Sequence, residues 1–235
     1  MNQKNLFLII VLFLTFTHCN HSRNNVRDIS KTKISSNRSL FELQTGDILF
    51  QDLDSDPLCD AIEIVTPGFK GSNLSHIGIV NKSKRNEITI IEALPGGVKK
   101  THLDTFLNRS FDINKNPKVI VGRLKMEYQY TIPKAISFIL DQIGKEYDDA
   151  FLINNEKYYC SELIFEAFSQ DSIFKLIPMT FLDPKTNKTQ KIWIEYYKKL
   201  NIKIPEGEPG INPGVMSLCN KIDIVHRYGK PDGMK

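Results

Sequence analysis

The chain's apolar residues follow two patterns, short runs in the first half and a helical repeat in the second. Four runs have the length and β-branched content of strands: residues 48–50, 75–80, 87–94 and 118–124. The polar residues 81–86 predict a hairpin turn between two of these runs, and residues 95–97 predict another turn. At residues 57–65 the apolar positions recur at helical spacing. The first half therefore predicts a sheet with one early helix.

From residue 132 onward the apolar period is that of helices. The first repeat consists of Ile132, Ala135, Ile136, Ile139, Leu140 and Ile143. Thr131 can cap this helix, Pro133 suits its first turn and Gly144 ends it. The remaining predicted elements are helices at 159–168 and 192–200 and a strand at 222–225. Strands followed by helices indicate an α+β domain with a mostly antiparallel sheet packed against helices.

The start of the chain has the composition of a targeting segment. Lys4 precedes an apolar run at residues 6–16, which is shorter than the roughly 20 residues of a transmembrane helix. A single positive charge before such a run is typical of a secretory signal, so we expect residues 1–18 to be a signal peptide. A buried N-terminal strand or helix is the alternative.

Cys19 resembles the lipidation cysteine of a bacterial lipoprotein, which would attach the exported chain to a membrane. His18 departs from that pattern, because a small residue usually precedes the cysteine, so simple cleavage nearby remains an alternative. Residues 19–39 are polar and without apolar periodicity, and they predict a tether. We expect residues 40–235 to form the folded domain.

The composition excludes several classes of protein. Of 235 residues, 41% are hydrophobic and 25% charged, which is ordinary for a globular domain and excludes a disordered, collagen-like or coiled-coil chain. The net charge of +4 is spread thinly along the chain, without the basic clusters of a nucleic-acid-binding protein.

Four cysteines are too few for a disulfide scaffold. Cys59 and Cys219 could still pair in an oxidising compartment. A zinc site formed by Cys59, His76, Cys160 and Cys219 is a rival use, but these residues lack the usual spacing of zinc ligands, so we predict no metal. We also predict no cofactor, because a nucleophilic cysteine needs none.

Three residues carry candidate chemistry. Cys160 begins a predicted helix, where the positive end of the helix dipole favours a thiolate nucleophile, although it also continues the apolar stripe as a structural cysteine would. His76 begins a predicted strand and could exchange protons with the cysteine, or be structural. Glu92 lies on the next strand, where it could orient His76 or face solvent as an ordinary charge.

Five motifs taken in order resemble a known family. They are residues 43–50 (LQTGDILF), 75–80 (SHIGIV), 91–93 (IEA), 144–148 (GKEYD) and 159–163 (YCSEL). Together they are similar to the permuted papain-like enzymes of the YiiX/YebB type, relatives of the NlpC/P60 cysteine peptidases. His76 precedes Cys160, as a circularly permuted papain-like chain requires, and a catalytic triad is defined by geometry rather than by chain order.

This resemblance implies a fold and a set of roles. The fold is a permuted papain-like α+β domain, with Cys160 as nucleophile, His76 as base and Glu92 orienting His76. Tyr147 matches the family's tyrosine and is expected to bind substrate, although a partly buried aromatic in a turn is the structural alternative.

We therefore expect an exported cysteine hydrolase that cleaves an amide, with a peptidoglycan stem peptide as the first candidate substrate. The alternatives are a lipid acyl hydrolase or acyltransferase, and a non-catalytic binding module of the cell envelope. Whether the polar residues 183–190 form a lid or a loop stays open at this point.

Overall fold

The computed structural model describes residues 41–235. The predicted signal peptide, the Cys19 lipidation site and the tether lie outside the described residues. The strands are β1 (Ile48–Gln51), β2 (His76–Lys82), β3 (Ile88–Leu94), β4 (Gly97–His102), β5 (Val119–Leu124), β6 (Ile177–Pro178), β7 (Leu182–Asp183), β8 (Lys188–Thr189), β9 (Pro209–Gly210) and β10 (Ile222–Arg227). The α-helices are α1 (Pro57–Val65), α2 (Leu103–Leu107), α3 (Ile132–Asp141), α4 (Cys160–Ala167), α5 (Lys191–Leu200) and α6 (Pro213–Ser217), and 3-10 turns occupy Phe69–Gly71, Met126–Thr131 and Ser169–Asp171.

A six-stranded antiparallel sheet forms the centre of the fold, in the order β10-β5-β1-β2-β3-β4. The hairpin predicted between the second and third apolar runs is β2–β3, in which Ile79 faces Ile91. With the helices that follow, this sheet confirms the predicted α+β class.

Both faces of the sheet are buried, because β1, β2 and β5 place apolar side chains on each side. On one face, Ile77 and Ile79 pack with the apolar stripes of α3 and α4. On the other face, Val80 packs with Ile90 and with Phe106 of α2. Strand alternation puts His76 on the same face as Val80, at the first residue of β2. At the end of β2, a side chain from the Val80 face can therefore come close to residues that pack on the Ile77 face.

The sequence patterns missed β4, α2, α6 and the two-residue strands. β4 lies at the edge of the sheet, and four of its six residues are polar: Lys99, Lys100, Thr101 and His102. The predicted turn at 95–97 is shorter than expected: Leu94 pairs with Gly97, which is already the first residue of β4.

Thr131 does not cap α3 as the sequence predicted. Its hydroxyl instead donates to the Tyr128 carbonyl at 2.7 Å, and its backbone is helical because the 3-10 turn Met126–Thr131 runs directly into α3. Pro133 does lie in the first turn of α3. Within residues 41–235, no helix has the length and apolar character needed to cross a bilayer.

Candidate active site

Cys160 is the first residue of α4, and several contacts hold that end of the helix in place. The Glu162 carboxyl accepts the Tyr159 backbone NH at 3.3 Å, and the Ser161 hydroxyl donates to the Ile211 carbonyl at 2.9 Å. The Cys160 side chain is 7% exposed, and its Sγ lies 4.0 Å from the Ser75 carbonyl oxygen. The sulfur therefore lies at the positive end of a helix dipole, which stabilises negative charge there.

His76 is buried beside Cys160 and Glu92. Its Nε2 lies 2.6 Å from Glu92 Oε2, and the Cys160 side chain is close enough to affect its pKa. Since Glu92 occupies Nε2, Nδ1 is the ring nitrogen left for the sulfur. Burial alone would lower the pKa of His76, but the interactions with Cys160 and Glu92 raise it to about 9. The imidazole is therefore set to carry a proton at neutral pH.

Glu92 is fully buried and has three partners. Oε2 accepts from His76 and from Arg109 Nη1 at 2.7 Å, while Oε1 accepts from Arg109 Nη2 at 2.5 Å and from the Thr101 hydroxyl at 2.5 Å. Burial would raise the pKa of this carboxyl, but Arg109 and His76 lower it to about 2. Phe106 packs against the ring of His76, at 5.8 Å between centroids. Glu92 thus holds His76 as an ionised carboxylate.

Tyr147 reaches the same site from the turn between α3 and α4. The turn is docked on β4, because Val98 NH donates to the Lys145 carbonyl and Gly144 NH to the Val98 carbonyl, both at 2.9 Å. Burial and the neighbouring Cys160 raise the pKa of Tyr147 well above its usual value. Its hydroxyl therefore stays protonated and remains a hydrogen-bond donor.

Asp148 shapes the loop that follows Tyr147. Its carboxylate accepts the backbone NH groups of Ala150 at 2.9 Å and Leu152 at 2.6 Å. This loop holds Phe151 in the left-handed region at φ 56°, which is unusual for a bulky residue. Phe151 lines the cleft and packs edge-on against Tyr147 and Tyr159.

These side chains border a cleft of about 390 Å³. Its lining includes His76, Tyr147 and Cys160, while most of its remaining wall is apolar: Leu58, Ile62, Val65, Leu94, Phe151, Ile177, Met179, Phe181, Trp193 and Ile211. Residues 183–190, whose role the sequence left open, form the β7–β8 hairpin and are not part of this lining.

The structure thus brings the predicted Cys160, His76 and Glu92 together and places Tyr147 on the same cleft. Sequence reasoning missed Arg109, Thr101 and Phe106. Residues 97–102 (GVKKTH) do not alternate between apolar and polar positions, so no pattern indicated the strand that places Thr101 next to Glu92. Nothing in the sequence near Arg109 points to Glu92.

Cys59, Cys160 and Cys219 are free thiols, so the disulfide considered for Cys59 and Cys219 is not formed. Cys59 lines the cleft, whereas the Cys219 thiol donates to the Ile173 carbonyl at 3.4 Å. The zinc set considered from the sequence does not converge within the described part of the chain.

One acidic group there has the spacing of metal ligands: Asp52, Asp54 and Asp232. The ammonium of Lys118 lies among them, with Nζ–O distances of 3.2, 2.6 and 3.1 Å. The cation that these carboxylates bind is therefore a lysine, and the group does not fit a metal ion.

Comparison with known proteins places the chain in a family and supports its fold. A family model described as permuted papain-like amidase enzyme, YaeF/YiiX, C92 family, matches residues 42–226. Among solved structures, one described as metalloprotein yiiX from Escherichia coli O157:H7 has a TM-score of 0.65 and 24% identity, over 80% of this chain and 99% of that chain. At that identity the likeness shows the fold. No curated protein matches the chain.

Proposed function

Because the chain belongs to the C92 family of permuted papain-like amidases, YaeF/YiiX, we propose that it hydrolyses an amide through an acyl-enzyme on Cys160. The observation that carries this proposal is the buried Cys160–His76–Glu92 arrangement on the wall of the cleft, with the sulfur at the start of α4. This arrangement has the nucleophile, base and orienting group of a papain-like triad.

The reaction starts from a Cys160 thiolate and a protonated His76. The sulfur attacks the carbonyl carbon, and the tetrahedral oxyanion forms near the Cys160 backbone NH, which has no partner inside the helix. His76 gives its proton to the leaving nitrogen as the C–N bond breaks, which leaves a thioester on Cys160 and releases an amine.

Water then completes the cycle. His76, now neutral, takes a proton from water as the oxygen attacks the thioester carbon. The C–S bond breaks, the acid product leaves, and the thiolate–imidazolium pair forms again. Tyr147, which lines the same cleft, donates a hydrogen bond to the oxyanion or to the substrate.

A peptidoglycan stem peptide is the first candidate substrate. It follows from the expected export of the chain, which the proposal includes: residues 1–18 are removed, and Cys19 is the candidate attachment point for a lipid. Mass spectrometry of the N-terminal peptide from producing cells tests this part. An intact Met1 peptide as the main species would contradict export by cleavage.

An acyl lipid is the second candidate, and a specific observation favours it. The wall of the cleft near Cys160 is mostly aliphatic and aromatic, and such a surface is complementary to a hydrocarbon chain rather than to a polar peptide. The thioester would then carry a fatty acyl group, released to water or to another acceptor.

The first test is the reactivity of Cys160. Iodoacetamide alkylation is followed by peptide mass spectrometry from about pH 5 to 9, in the wild type and in His76→Ala. An ordinary thiol has a pKa of roughly 8.5 and reacts slowly below it. Fast alkylation of Cys160 near pH 6 that is lost in His76→Ala supports the thiolate–imidazolium pair. Slow alkylation throughout contradicts it and favours the non-catalytic binding module.

Cys59 is the matched control, because it lines the same cleft. Burial raises the pKa of Cys59, so its alkylation should need a higher pH. Equal low-pH reactivity of both thiols would show that access to the cleft, and not the His76 pair, determines the rates.

The second test identifies the substrate class. Purified peptidoglycan and phospholipid vesicles are incubated with wild type, Cys160→Ser and Cys59→Ser, and free amines and fatty acids are measured. Release by wild type and Cys59→Ser but not by Cys160→Ser identifies the substrate. Release that survives Cys160→Ser contradicts the acyl-enzyme.

A further inference from the structure

Arg109 forms an ion pair with Glu92, the carboxylate that contacts His76. It follows α2, 20% of its side chain is exposed, and its guanidinium clamps both oxygens of the fully buried Glu92. It also lies over the ring of Phe106, at 5.1 Å from the centroid, and Phe106 packs against His76. The same network therefore links Arg109 to the carboxylate and to the imidazole.

During the proposed reaction Glu92 loses the positive charge of one partner, His76, and keeps that of the other, Arg109. While His76 is protonated, it neutralises Glu92. If Arg109 were absent, the buried Glu92 carboxylate would have no positively charged partner once His76 has given its proton to the leaving group. Isolated buried charges are strongly disfavoured. Glu92 would then hold the proton on His76 more tightly, so that His76 would lose it only at a higher pH. A guanidinium stays charged throughout and removes that tendency.

We propose that Arg109 is a positioning residue that keeps Glu92 ionised at every stage of the reaction, so that Glu92 orients His76 without taking its proton. This inference rests on the proposed function. It assigns Arg109 a role through charge: with Arg109 present, His76 can release its proton to the substrate, and Glu92 gains none.

The groups that face the pair are few. Glu92 meets Arg109, Thr101 and His76, and its register partner Lys99 on β4 is exposed. On its other side, His76 meets Cys160. Thr101 is a neutral donor to the same carboxylate, so it separates hydrogen bonding from charge.

The test is the titration of His76, followed by NMR on protein with 13C-labelled histidine and assigned with His76→Gln. Loss of the positive charge in Arg109→Met should move the His76 midpoint upward by about one pH unit or more. Arg109→Lys keeps the charge without the bidentate geometry, so its His76 midpoint should lie much closer to that of the wild type than to that of Arg109→Met. Thr101→Val should leave the midpoint near that of the wild type.

A matched control exists on β5. Arg123 pairs bidentately with the buried Asp47 at 2.7 Å and has the same 20% exposure as Arg109. Arg123→Met should therefore lose a similar ion pair without moving His76. Should Arg109→Met fail to fold, Arg109→Gln keeps hydrogen-bond donors but not the charge, and it carries the same expectation.

An unchanged or lowered His76 midpoint in the neutral Arg109 variants would overturn the proposal. So would an Arg109→Lys variant that titrates like Arg109→Met, because geometry alone would then explain the pair. Alkylation of Cys160 in the wild type separates this result from the proposed function: a slow thiol contradicts the nucleophile, whereas the His76 titration still decides the role of Arg109.

Discussion

Replacing Glu92 by glutamine tests how much the buried ion pair contributes and at which pH. The side chain keeps its shape, but His76 and Arg109 lose the carboxylate that both contact. Removing one partner from a buried ion pair typically costs about 3–5 kcal/mol, because the remaining charge is left without compensation. Glu92→Gln should therefore destabilise the fold strongly while both partners are charged.

The pKa shifts define the pH window of this effect. The pKa of Glu92 falls from 4.5 to about 2, so its contribution is present above pH 4.5 and is lost as the pH falls through 2. The pKa of His76 rises from 6.5 to about 9, so its contribution is present below pH 6.5 and is lost as the pH rises through 9. Each shift corresponds to about 3 kcal/mol. Cys160 contributes to the His76 shift and Arg109 to the Glu92 shift, and the two shifts share the His76–Glu92 interaction, so they are not added.

The assay is urea unfolding followed by circular dichroism near pH 5.5, 7.5 and 10. The destabilisation by Glu92→Gln should be greatest near pH 5.5 and smaller at pH 10, where Arg109 alone still needs the carboxylate. The difference should be only a part of the about 3 kcal/mol of the His76 shift, because Cys160 causes the rest. Asp47→Asn is the control, since it breaks a similar buried ion pair, with Arg123, that contains no histidine. Equal destabilisation by Glu92→Gln at pH 5.5 and 10 would refute the reasoning.

Three further substitutions test the walls of the site. Tyr147→Phe should leave unfolding by urea nearly unchanged and lower kcat about 100-fold if its hydroxyl donates to the oxyanion, while an unchanged kcat would restrict Tyr147 to packing. Asp148→Ala should cost about 2 kcal/mol in urea unfolding by leaving two loop NH groups unpaired, and Asp148→Asn should restore part of this; equal stability of all three proteins would contradict the loop's dependence on the carboxylate. Gly97→Ala should lower the thermal midpoint, because its φ is 103° and a Cβ would lie 2.4 Å from the Lys145 carbonyl oxygen; an unchanged midpoint would mean that this turn moves freely.

The elements that carry the reacting groups could be predicted from the sequence because their patterns are local. Cys160 starts a stripe that continues through Leu163 and Ile164, and this stripe packs on β2 and β3. His76 and Glu92 lie on consecutive apolar strands, so a hairpin brings them onto one face of the sheet.

The support of the site could not be predicted, because it comes from distant and polar positions. Thr101 lies on an edge strand next to two exposed lysines, so residues 97–102 look like a solvated turn. Arg109 lies in a polar connection after α2, where an arginine is usually on the surface. Only the pairing of β4 with β3 and the close approach of α2 bring these residues to Glu92.

Local contacts position the nucleophile, and distant contacts determine the state of the base. The position of Cys160 depends on α4, whose core residues lie on one face of the sheet. The protonation of His76 depends on Cys160 and on Glu92, and Glu92 is paired with Arg109 next to Phe106 on the opposite face. Arg109 makes its bonds on the side of Glu92 away from α4, so changing it should alter the imidazole while leaving the helix in place. The base can therefore be perturbed without moving the helix that carries the nucleophile, and because Cys160 and His76 titrate as one pair, a shift of the His76 midpoint should also change the pH dependence of thiol reactivity.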